Sequence, residues 1–84
     1  MPTFFFDLDD GSEVHRDPEG VELKDVLDAR LHAAFYLAEA ARELIPDGGR
    51  DRKVEVTVRD AGHGDLLTAS VYFAVQVLDR SKMN

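Results

Sequence analysis

The apolar residues of this chain recur at a period of two, switch to a helical period at about residue 25, and return to two near residue 52. A chain patterned this way can place strands on both sides of one helix, but it cannot form a helical bundle. The predicted order is strand, strand, helix, strand, strand. No internal repeat, low-complexity tract or linker interrupts it, and 84 residues supply a single core, so residues 1–84 read as one domain.

The first strand, Thr3 to Leu8, places Phe4, Phe6 and Leu8 on one face and Phe5 and Asp7 on the other. Asp9-Asp10-Gly11 turns the chain into a second strand, Ser12 to Arg16, whose single strongly apolar residue, Val14, suits an edge. Asp17-Pro18-Glu19-Gly20 fits a type I turn, with Asp first, Pro second and Gly fourth.

Asp25 is placed to accept from the first free amides of a helix, and Asp28 adds negative charge at the positive end of the dipole. Pro46 biases Ile45 away from helix and Asp47-Gly48-Gly49 completes the stop, leaving about 20 helical residues. Leu23, Val26, Leu27, Leu31, Ala34, Leu37, Ala38, Ala41, Leu44 and Ile45 share one arc, expected to be buried, while Asp28, His32, Glu39 and Glu43 lie opposite. Arg30 falls near the centre of that arc. It is expected to pack its stem and to snorkel or pair with a carboxylate such as Asp7.

The third strand, Lys53 to Arg59, turns Val54, Val56 and Val58 inward and Lys53, Glu55, Thr57 and Arg59 outward. Asp60 to Asp65 forms a hairpin loop. The fourth strand, Leu66 to about Phe73, has Leu67, Ala69, Val71 and Phe73 on one side and Leu66, Thr68, Ser70 and Tyr72 on the other. Ala74 to Leu78 fits either a continued strand or a helical turn.

These elements predict an α+β fold: a two-layer β-β-α-β-β sandwich in which one long helix covers one face of a four-stranded sheet. The two most apolar strands, first and fourth, are expected at the centre, giving the spatial order second, first, fourth, third and making the central pair parallel. Phe5, Leu66 and Tyr72 would then form an apolar surface on the open face. That surface calls for a partner, or for the tail residues Val75, Val77 and Leu78 as cover.

Charge and composition narrow the function classes. The net charge of −7 belongs wholly to residues 1–28, which hold nine acids against Arg16 and Lys24, while residues 29–84 hold eight of each sign. Such a field disfavours nucleic acid and anionic membranes as partners. The chain has no cysteine, which excludes disulfides and thiol nucleophiles. No apolar run approaches the roughly 18 residues of a membrane span, and the start MPTFFFDLDD lacks a signal-peptide pattern, so a cytoplasmic protein is expected.

Chemistry-bearing residues are sparse. A calcium-loop frame with Gly11 sixth puts Phe6 and Leu8 at ligand positions and fails. His15, Asp17 and Glu19 could share a strand face as metal ligands, but the turn already accounts for Asp17 and Glu19. His63 sits at a loop tip between two glycines, and His32 falls on the wet side of the helix. Ser12, Ser70 and Ser81 lack a nucleophile-elbow context. Arg50, Arg52, Lys53 and Arg59 could make a small anion or nucleic-acid contact. No catalytic, cofactor-binding or metal-binding constellation is expected.

Met1-Pro2 with Phe4-Phe5-Phe6, Asp10-Gly11, Asp17 to Gly20, Glu22-Leu23, Ala29-Arg30, Val54-Glu55-Val56 and the glycine-containing second hairpin together resemble a family of short alphaproteobacterial proteins classed as a domain of unknown function. The resemblance spans nearly the whole chain and implies a bacterial cytoplasmic protein of one domain, with no activity to carry over. Members often have His at the position of Asp7 and Pro-Phe in place of Tyr72-Phe73. The function expected is a non-catalytic interaction or regulatory module. It would associate with itself or another protein through the open sheet face or an edge strand, with an anion binder as the alternative and a metal-assisted enzyme through His15 or His63 as the second.

Overall fold

A computed structural model describes residues 1–48, 51–79 and 81. The chain runs β1 (Thr3–Asp9), β2 (Val14–His15), β3 (Val21–Glu22), α1 (Val26–Gly48), β4 (Arg52–Asp60) and β5 (Gly64–Phe73). It is the expected α+β architecture, with one helix on an open sheet, here of five strands in the order β2-β1-β4-β5 with β3 also on β1. Every pairing is antiparallel.

Two strands exchange the places expected of them. β4 lies beside β1, with Phe6 opposite Val58 and Leu8 opposite Val56, and β5 is the edge. A centre position is decided by the inward face alone, and Val54, Val56 and Val58 are all fully buried. The polar outer face of β4 was therefore no mark of an edge. The second strand is also shorter than expected. Its ladder with β1 ends at His15, the chain swings out over residues 16–20, and it returns as β3 to pair Val21 with Phe4.

Asp25 caps α1 as the sequence implies, its Oδ1 accepting the Asp28 amide at 3.0 Å. The helix continues through Pro46 to Gly48, beyond the expected stop. Leu44 and Ile45 pack against the core and hold helical geometry there against the bias of the following proline. Arg52 reaches across from β4 to donate from its guanidinium to the Leu44 carbonyl at 2.8 Å, supplying the cation that the last turn of α1 lacks.

The buried stripe of α1 is rotated from the expected arc. Ala29, Ala33, Leu37 and Ala41 are buried at four-residue spacing against β4 and β5, while Leu27 is 71% exposed, Leu31 58% and Phe35 68%. Small side chains at four-residue intervals let the helix axis approach the sheet, and that closeness excludes the larger residues on its flank. His32, expected on the wet side, is half-buried, its ring centroid 4.5 Å from that of Phe6.

The rotated stripe is open to test by chemical denaturation. Ala33→Leu forces extra volume into the closest helix–sheet contact and is expected to destabilise by about 1–3 kcal/mol. Leu31→Ala should change stability by no more than about 0.5 kcal/mol, whereas a loss of several kcal/mol there would restore the arc read from the sequence.

Candidate functional site

The outer face of the sheet is organised by a carboxylate, not by an apolar patch. Asp7, on the outward side of β1, is buried and accepts from Arg59 Nε at 2.8 Å. Its Oδ1 accepts the Asp17 amide at 2.9 Å. Asp17 in turn accepts the Phe6 amide on Oδ2 and the Glu19 and Gly20 amides on Oδ1, all at 3.1 Å. A side chain thus takes the β1 amide that a longer second strand would have taken, which is why β2 stops and the chain bulges. Arg59 also donates to the Asp17 carbonyl at 3.0 Å.

Burial alone would raise the pKa of Asp7, but the Arg59 hydrogen bond, the Asp17 amide and the charges of Arg59 and Arg16 outweigh it and hold the carboxyl below its usual value. For Asp17 burial likewise pushes upward, and three backbone amides with the Arg59 charge bring it down.

This arrangement disposes of Phe5. Arg59 lies over its ring, 4.5 Å from the centroid, and the 16–20 bulge covers its edge. Gly20 has a φ of +77°, and a Cβ there would lie 2.7 Å from Thr3 Cγ2 and 2.8 Å from Phe5 Cε2. Leu66 falls at a bulge between the Val58–Leu67 and Arg59–Asp65 pairs and packs with the core. Tyr72 is exposed opposite Lys53, about 20 Å along β4 from the Arg59 that sits over Phe5. The structure therefore does not gather Phe5, Leu66 and Tyr72 into one surface.

The cations are placed differently from the sequence expectation as well. Arg59 is taken by Asp7, and Arg52 donates to the Leu44 and Asp10 carbonyls at 2.8 Å each. Lys53 pairs with Glu55 at 3.3 Å, and Arg50 lies outside the described residues. Arg30, expected in the buried arc and beside a carboxylate, is exposed and makes no ion pair among the described residues. The rotation of α1 moves it out of the core, and Asp7 already has Arg59.

Asp10, Glu13 and His15 bring their ligand atoms within 4.8 Å of one another. Each has a turn to explain it: Asp10 accepts the Ser12 and Glu13 amides at 2.8 Å and His15 Nε2 lies 2.9 Å from its other oxygen. The Glu13 amide, then His15, holds the Asp10 carboxyl well below the usual range, and Asp10 in return raises the pKa of His15. Asp17 and Glu19 do not join His15, since Asp17 is turned into the sheet. His63 folds back onto Asp60, with its Nδ1 2.9 Å from Oδ2. A cleft of about 320 Å³ brings His15, His32 and Tyr36 to one side of the helix, but no hydrogen bond joins the three among the described residues.

The opposite flank of α1 is different. A groove of about 550 Å³ runs between the helix and β5, with Arg30, Ala34 and Ala38 on one wall and Leu67, Ala69 and Val71 on the other. Leu27, Leu31 and Phe35 are exposed on the part of the helix turned away from the sheet. β5 pairs with β4 on one side, and among the described residues no strand pairs with the other. From Leu66 to Phe73 it contains no charge, proline or glycine, the devices that normally blunt an exposed edge. Residues 74–79 leave the end of β5 exposed, with Val75 59% and Leu78 89% accessible, so the tail does not cover the sheet. The sequence reading had assigned Leu27, Leu31, Ala34 and Ala38 to the core. The four-residue spacing of Ala29, Ala33, Leu37 and Ala41 was the signal that would have separated the flank from the contact stripe.

A family model described as a domain of unknown function, DUF6894, matches residues 3–72, from the first residue of β1 almost to the end of β5. No curated protein matches the chain. No solved structure matches it. No helix of the described residues is long and apolar enough to cross a membrane.

The ion pair makes a pH-dependent prediction. Asp7 and Asp17 have folded-state pKa values below their unfolded ones, so their stabilisation is present above about pH 4 and is lost as pH falls through that range. Arg59→Met removes the guanidinium closest to the Asp7 carboxylate and is expected to lower stability in urea denaturation at pH 7. The difference from the unsubstituted protein should shrink as pH falls below the usual carboxylate range and the Asp7 carboxyl takes up its proton; a pH-independent cost would show that only packing was lost.

Proposed function

We propose, for a chain that belongs to the DUF6894 family of domains of unknown function, that it is a non-catalytic interaction module whose contact surface is the outer edge of β5 with the adjoining flank of α1. The observation that carries this reading is the eight-residue uncharged edge from Leu66 to Phe73 together with the groove beside it, whose helix wall is Arg30, Ala34 and Ala38. A strand edge offers backbone donors and acceptors in a fixed row, and the groove beside it offers apolar contact for alternate side chains of an added strand. The simplest partner is a second copy. The acidic excess sits in residues 1–28, which form β1, β2 and β3 at the other side of the sheet and the start of the helix, and residues 29–84 carry no net charge. Two copies meeting at β5 therefore avoid most of their like-charge repulsion.

Closure favours the same reading. The edge of β1 is occupied by β2, β3 and the Asp17 bulge, so joining two β5 edges uses the open edge of each copy and stops at two. A bacterial, cytoplasmic regulatory protein of alphaproteobacterial origin fits the family resemblance and the cysteine-free composition. The anion-binding alternative draws less support, because Arg52 and Arg59 spend their donors on the protein's own acceptors.

Sedimentation velocity at about 100 μM tests the proposal, with a dimer expected. Ser70→Lys with Ala34→Arg places charge on the strand edge and on the helix wall of the groove, two positions outside the core. That variant should be a folded monomer with unchanged circular dichroism. A strict monomer of the unsubstituted protein at this concentration, or a dimer indifferent to both substitutions, would contradict the reading.

A further inference from the structure

The tail after β5 repeats the pattern of β5 itself. Odd-numbered residues 67, 69 and 71 face the groove, and Phe73 stands opposite Arg52, whose guanidinium lies at the helix end. Val75 and Val77 continue the apolar positions of that alternation, Leu78 departs from it, and Asp79 follows two residues after Val77. β4 begins at Arg52, opposite Phe73, so among the described residues the ladder has no partner for residues 74–79. Asp51 Oδ1 accepts the Val75 amide at 3.1 Å, and Val75, Val77 and Leu78 all remain exposed. Among the described residues, a stretch outside any ladder, with Val75 and Val77 at alternate positions, follows directly on an unpaired edge.

Resting on the self-association reading above, we propose that residues 74–79 of one copy add as an antiparallel strand to the β5 edge of a second copy, reciprocally, about a two-fold axis beside Ala74. Antiparallel partners share a face, so apolar residues must meet apolar residues. Placing Val75 opposite Phe73 of the second copy puts Val77 opposite Val71 and Asp79 opposite Ala69. All three lie on the groove side of the joined sheet. Ala69 lines the same groove as Arg30, an exposed guanidinium with no ion-pair partner among the described residues. The incoming carboxylate of Asp79 supplies one. A two-fold axis at the middle of β5, near Ala69, would instead leave Val75 and Val77 beyond the paired strands and Arg30 without an acid.

Two sets of variants test this without disturbing the core. Arg30→Glu alone should raise the dimer dissociation constant about tenfold or more in sedimentation equilibrium, and Arg30→Glu with Asp79→Arg should restore most of that loss. Because the chain has no cysteine, single substitutions give a clean map of the axis. Directly opposed residues in an antiparallel pair lie at Cα separations of about 4.5–5.5 Å, within disulfide reach. Ala74→Cys is therefore expected to cross-link two copies rapidly under mild oxidation, and Ala69→Cys slowly. Rapid cross-linking at Ala69 instead, or a dimer that survives truncation after Phe73 while Ser70→Lys with Ala34→Arg dissolves it, would overturn the tail exchange and leave the β5-edge reading standing. A monomer under every condition would overturn both.

Discussion

The two edges of this sheet are finished by different chemistry, and the difference starts from the ion pair between Asp7 and Arg59. A carboxylate buried on the outward side of β1 needs a cation and further donors. Arg59 supplies the first and the Asp17 amide one of the second, which fixes the 16–20 bulge against the sheet. Once that bulge is held, the Asp17 side chain satisfies the Phe6 amide, Gly20 closes over Phe5, and β3 rejoins β1. The β1 edge is thereby sealed by the chain's own polar groups. Among the described residues, nothing comparable happens at β5.

The helix sets the second asymmetry. One amphipathic helix can bury a single stripe, and α1 spends its stripe of Ala29, Ala33, Leu37 and Ala41 on β4 and β5. Leu27, Leu31 and Phe35 stay in solvent on the part of the helix turned away from the sheet, while Ala34 and Ala38 wall the groove beside the open strand. Exposed apolar surface is common on small proteins. The functional reading comes instead from the groove that Ala34 and Ala38 form next to an uncharged strand edge. The unfinished parts of the molecule lie together, while its charge excess is gathered elsewhere in the fold.

Much of the fold was legible in the sequence because it depends on local pattern. Alternation located β1, β4 and β5, Asp25 marked the start of the helix, and the two layers followed from counting elements. Strand order was not legible, because Val54, Val56 and Val58 show only that one face of β4 is buried, and both central and edge strands meet that condition. The outer-face cluster was invisible for a different reason. Asp7, Asp17 and Arg59 are ten and 42 residues apart along the chain and meet only through the register of β1 with β4 and the course of the bulge. The helix flank was misread because a broad apolar arc does not say which part of it touches the sheet. Small residues at four-residue spacing carried that information, and it was outweighed by the leucines.

The central claim is that the β5 edge meets another chain while the β1 edge is complete within one copy. Hydrogen–deuterium exchange measured across protein concentration tests it most directly. The account predicts that amides of residues 66–78 directed away from β4 become slower to exchange as concentration rises, while the Phe6 amide, held by Asp17, is protected to the same degree throughout. Exchange along 66–78 that is rapid and independent of concentration would contradict it.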